Sequence, residues 1–145
     1  MEQKLLDVAN YIIARCEGIT NTKLQKLVYY SHAHFLITGG EPLIDSYFEA
    51  WVYGPVISDL HREFSKYSYK PIEVSVDGDE SRLKSAEVVA IDYVLGLYGS
   101  LTPSELSDKV HIEDPWQDAY QSSDWSENVI LNKDIVAYYS KNPLR

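Results

Sequence analysis

The chain has 145 residues, 45% hydrophobic and 24% charged, with a net charge of −9. That length buries enough surface to need no disulfide or metal staple. A pI near 4.8 and the lack of a basic stripe weigh against a duplex-binding domain, which needs cations to displace phosphate counterions. Cys16 is the single cysteine, so no internal disulfide can form, and a reducing compartment is favoured. No basic, apolar leader opens the sequence and no apolar run reaches membrane-spanning length. A cytoplasmic protein is the expectation. Tyrosine is the compositional outlier, with 12 residues against 3 Phe; its apolar body and polar tip suit half-buried positions and binding surfaces.

The first expected helix runs from Gln3 to Cys16, with Leu5, Val8, Ala9, Ile12 and Cys16 in one apolar stripe. That position predicts a buried, structural thiol. Gly18 stops the helix. The second runs from Asn21 to Thr38, capped by Thr20 or Thr22, with Thr22 and Gln25 at capping-box spacing. It is apolar nearly all round, the mark of a central helix, and Gly39-Gly40 ends it.

The period then changes. Phe48, Ala50 and Val52 alternate with Glu49, Trp51 and Tyr53, which predicts a short strand broken by Gly54-Pro55. A helix over 56–66 follows. Ile72, Val74 and Val76 alternate again before Asp77-Gly78, and the two alternating runs could pair. A long helix is expected over 80–98, with Val88, Ile91, Leu95 and Tyr98 inward. Thr102-Pro103-Ser104-Glu105 is a strong helix start, and Asp114-Pro115 a helix stop. Asn132 can cap a last helix through Ser140. With no repeat and no long linker, the expectation is mainly α: a compact single-domain helical fold over 1–145, with a small two-stranded antiparallel β ribbon.

Signals for catalysis are weak. His32 and His34 are two apart on a helix and face apart. His61 and His111 sit in no metal-binding pattern, so a structural histidine bonded to a carboxylate is the expected role. There is no nucleophile elbow and no phosphate loop; Gly39-Gly40 follows a helix rather than opening one. The reading is therefore not an enzyme, with no cofactor and no metal. From Leu101 to Asn128 there are seven acids and one base, Lys109. This is either a solvated face or a surface complementary to a basic partner.

Two stretches are distinctive. One is Ile19-Thr20-Asn21-Thr22-Lys23-Leu24-Gln25-Lys26-Leu27-Val28-Tyr29-Tyr30 with Glu49-Ala50-Trp51-Val52-Tyr53-Gly54-Pro55-Val56; the other is Leu101 to Leu106 with His111-Ile112-Glu113-Asp114-Pro115-Trp116. In order and spacing they resemble the Panacea (SocA-like, phage-associated) antitoxin domain family, over nearly the whole chain. The resemblance implies the antitoxin half of a toxin–antitoxin system, neutralising a cognate protein toxin by direct contact. For some relatives it implies instead an adaptor that delivers the bound toxin to an ATP-dependent protease. It carries over no catalytic residue. Many members add a DNA-binding segment; this chain has no room for a separate one, which puts autoregulation by DNA binding in doubt. With a net charge of −9 and no spanning apolar run, nucleic acid and membrane are not expected partners.

Within the matching stretches, Trp51, Tyr53 and Pro55 read either as a rigid strand-to-helix corner, with Pro55 starting the helix, or as an aromatic contact patch. Asp114 either caps a turn beginning at Pro115, with Trp116 closing over the core, or joins Trp116 in facing a partner. The candidate partner-binding residues are Trp51, Tyr53, Glu113, Asp114 and Trp116.

Overall fold

The computed structural model describes residues 1–122 and 128–145. Asp124 and Glu127 of the acidic run lie outside them. Seven helices are described: α1 (Gln3–Arg15), α2 (Asn21–Gly39), α3 (Ser58–Glu63), α4 (Ser85–Tyr98), α5 (Pro103–His111), α6 (Asp114–Gln121) and α7 (Asn132–Tyr139).

α2 is the axis of the core. Leu24, Leu27, Val28, Tyr29, Tyr30 and Ala33 are wholly buried, and α1, α4, α5 and α7 pack around it. Burying a large apolar side chain contributes about 1.5–3 kcal/mol, so this all-round stripe outweighs the helix's modest propensity. Thr20 caps it, accepting from Lys23 N at 3.3 Å. Gln25 bonds elsewhere, its Oε1 accepting from Ile57 N at 3.1 Å and its Nε2 donating to Asn21 Oδ1 at 3.2 Å. The capping-box spacing of Thr22 and Gln25 is thus not used as a cap, because Gln25 is turned into the core. Cys16 is buried beside α1, and desolvation raises its thiol pKa.

The sheet has three antiparallel strands in the order β2-β1-β3: β1 (Phe48–Trp51), β2 (Gly54–Val56) and β3 (Val129–Ile130). The small antiparallel element expected from the sequence is present, with other partners for β1. Gly54 reverses the chain at φ 127°, a region that favours glycine, and a Cβ there would lie 2.6 Å from Lys26 Cε. Pro55 therefore enters β2 opposite Ala50 rather than starting a helix. As β2 is an edge strand, the missing N–H costs no ladder bond. α3 begins only at Ser58.

The alternating run 72–76 joins no strand. Asn10 occupies its backbone instead, donating to Ser75 O and accepting from Ser75 N, both at 2.8 Å. Ile72 N donates to Ile19 O, and only Ile72 of the three is buried; Val76 is 99% exposed. Upstream of α4, the expected long helix is split: a 3₁₀ turn at Glu80–Arg82 precedes it. The Thr102–Glu105 capping box forms as expected.

Candidate partner-binding site

Three consecutive carbonyls at the tip of the β1–β2 hairpin are each held by one side chain from α5 or α6. Ser107 Oγ donates to Tyr53 O at 2.9 Å, His111 Nε2 to Val52 O at 2.8 Å, and Trp116 Nε1 to Trp51 O at 2.8 Å. His111 and Trp116 also touch, with ring centroids 4.3 Å apart. A tip that would otherwise be a loose turn is fastened to two helices, each bond contributing about 1 kcal/mol.

The alternation of β1 then decides what faces outward. Phe48 and Ala50 are buried, while Glu49 and Trp51 alternate with them as half-buried residues of β1, flanked by Tyr47 before the strand and Tyr53 in the turn after it. Together with Val52 and Tyr120 these last four line an open cleft of about 580 Å³. Tyr47 is 62% exposed, Val52 58%, Tyr53 70% and Tyr120 40%. So dense a group of exposed aromatic and apolar side chains makes this cleft the candidate contact surface. Tyr120 stacks on Trp116 at 4.6 Å, which carries the order of the core out to the cleft wall.

The expected site residues divide between surface and core. Tyr53 is exposed at the hairpin tip, and Trp51 is half-buried with its ring 5.2 Å from His61. Trp116 is buried, acting from beneath as the clip on Trp51. Glu113 is buried among tyrosines. Its Oε1 accepts from Tyr30 at 2.6 Å and Tyr139 at 2.8 Å, and its Oε2 from Lys109 at 3.0 Å. Burial first, and then this carboxylate, push the Tyr30 hydroxyl pKa far up. Asp114 is exposed, but it lines a separate hollow between α6 and α7 with Asp118, Asp134 and Lys141. It is the first residue of α6 and makes no cap bond; the cap position belongs to Glu113.

Tyr47 and Tyr120 belong to the cleft although sequence reasoning does not single them out. Tyr47 has a signal, since it continues the alternation of Glu49, Trp51 and Tyr53. Tyr120 has a weaker one, four residues after Trp116 on the same helix face.

The histidines are taken up by structure. His32 is buried, with Nε2 donating to Asn132 Oδ1 at 2.9 Å and Nδ1 accepting from Ile44 N at 3.5 Å. Its partner is an amide rather than the expected carboxylate, and burial holds its pKa below the ordinary value. His34 stacks on Tyr93 at 4.3 Å. Among the described residues, no group of three or more His, Cys, Asp or Glu side chains is placed to hold a metal ion, and no helix is long and apolar enough to cross a membrane.

Residues 24–117, which carry most of α2, the hairpin and its clips, match the family model described as Antitoxin SocA-like, Panacea domain. The chain belongs to this family. Antitoxin SocA of Caulobacter vibrioides (strain NA1000 / CB15N) is 42% identical over 62 residues, covering 40% of this chain and 33% of that relative. The match thus spans a third of the curated protein's length. No solved structure matches the chain. In this Panacea domain the two distinctive sequence stretches meet in space, at the bond from Trp116 to Trp51.

Proposed function

We propose that the chain is an antitoxin that neutralises a protein toxin by direct contact, with the β1–β2 hairpin and its aromatic cleft as the docking surface. The observation that carries this is the rigid presentation of Tyr47, Val52, Tyr53 and Tyr120 to solvent around one cleft. Large aromatics on a preorganised element give contact area at low entropic cost and dominate interface energetics. Family membership supports the antitoxin role. The acidic balance of the chain favours a basic toxin and faster encounter with it. In this reading the protein acts in the cytoplasm as a single domain, by binding rather than catalysis.

The test uses the product of the adjacent open reading frame as the toxin. Tyr53→Ala and Val52→Asp alter side chains that are mostly exposed, so their melting temperatures stay near the parent's. Loss of growth rescue by both folded variants is expected. Full rescue by both would remove the hairpin from the interface.

A further inference from the structure

Among the described residues, the cleft is aromatic on its walls and carries one carboxylate, and that pairing has a chemical meaning. Glu49 is in the middle of β1, paired across to Val56 of β2 on one side and Val129 of β3 on the other. Its backbone is thereby held on both edges, and it lines the cleft together with Tyr47, Trp51, Tyr53 and Tyr120. The carboxylate is nearly unused. The bond described for it is from Trp51 Nε1 to Oε2 at 3.5 Å, the outer limit of a hydrogen bond. Nearby Asp59 differs: it lines a smaller hollow shared with Tyr47 and Glu49, and it is paired with Arg62 at 3.0 Å.

We propose that this cleft receives an arginine side chain of the partner protein, with Glu49 as its counter-charge and the aromatic rings as its walls. A carboxylate accepts a guanidinium through two parallel N–H···O bonds. Aromatic faces attract a cation within about 6 Å, by the ring quadrupole. Arginine suits such walls better than lysine, because its plane stacks on rings and sheds water more readily. A phosphate-bearing ligand is disfavoured by the same carboxylate and by the net charge of −9. This inference deepens the docking reading and rests on it for the identity of the partner.

The probe is N-acetyl-arginine amide, with N-acetyl-citrulline amide as its uncharged isostere. Each is titrated into isotopically labelled protein while the indole N–H resonance of Trp51, assigned with Trp51→Phe, is followed. Arginine should shift this resonance saturably and citrulline should not. Glu49→Gln, checked by thermal melt, should weaken the arginine response at least tenfold. Equal responses to both probes, no response to arginine, or an unchanged response in folded Glu49→Gln overturns the proposal. If arginine leaves the cleft untouched while Tyr53→Ala loses the toxin, the arginine site fails and the docking surface stands. If arginine binds but Tyr53→Ala keeps full toxin affinity, the docking reading fails, and with it the assignment of that arginine to the toxin.

Discussion

The indole N–H of Trp116 on α6 donates to the backbone carbonyl of Trp51 on β1 at 2.8 Å. Through this bond, a buried side chain from the second distinctive stretch fixes the position of a half-exposed one in the first. Trp116 acts on the cleft without facing it, and its replacement separates two effects. Trp116→Phe keeps most of the packing and deletes the donor, leaving the Trp51 carbonyl without this partner. The expected cost is about 1–3 kcal/mol, with lower protection of the hairpin amides in hydrogen exchange. Trp116→Ala should cost roughly 3–5 kcal/mol through the cavity it leaves. Chemical denaturation of both variants checks the order; equal losses would show that packing adds little beyond the bond, and a Trp116→Phe as stable as the parent would show that the bond contributes little.

Glu113 is a core residue by its surroundings. Removing one member of a buried, fully bonded carboxylate network is expected to cost about 3–5 kcal/mol, since Tyr30, Tyr139 and Lys109 would lose their common acceptor. Glu113→Ala should therefore lower the melting temperature steeply. Glu113→Gln, the same shape without the charge, should be intermediate. Toxin affinity of the folded fraction, measured below the melting transition, should match the parent's. Weaker binding by a fully folded Glu113→Gln would instead put this residue in the interface.

Lys26 predicts a pH effect. It is buried under Gly54, with its ammonium 3.4 Å from Thr22 O, and desolvation lowers its pKa from 10.5 to about 8. The unfolded chain keeps this proton up to the ordinary value, so between those limits the unfolded state binds more protons than the folded one. Stability should then rise with pH from about 8, a rise partly offset by ionisation of the Cys16 thiol in the unfolded chain and, above about 9.5, opposed by that of the tyrosines. Lys26→Met should stabilise the protein at pH 7 by roughly 1–3 kcal/mol and flatten the rise. Denaturant midpoints at pH 7, 8 and 9.5 for both proteins test this; a parent that weakens from pH 8 to 9.5 would contradict it.

The helical part of the fold is legible in the sequence because its signals are local. The stripe of α1, the all-round burial of α2 and the Thr102–Glu105 box each lie within a few turns of chain. The strand partners are not legible, because they depend on distant groups. The run 72–76 has the alternation of a strand, yet Asn10 claims Ser75 on both its N–H and its C=O. β3 is only two residues long and carries no pattern of its own. At the site, Trp51 and Tyr53 can be read from the alternation around them. Whether Glu113 or Trp116 faces inward cannot, since that turns on Tyr30, Tyr139 and Trp51, all remote in sequence. The three clips on the hairpin tip are likewise invisible, because a backbone carbonyl leaves no mark in the side-chain pattern.

Docking of the toxin on the hairpin cleft can be measured without a growth assay. Calorimetric titration of purified toxin compares the Tyr47→Ala/Tyr53→Ala double variant with the parent and with a Val89→Ala control on the outer face of α4. The two tyrosines are 62% and 70% exposed, so stability should hold. The double variant should lose about 30-fold or more in affinity, roughly 2 kcal/mol, and the control should lose none. Parent-like affinity in the folded double variant would contradict docking at the cleft.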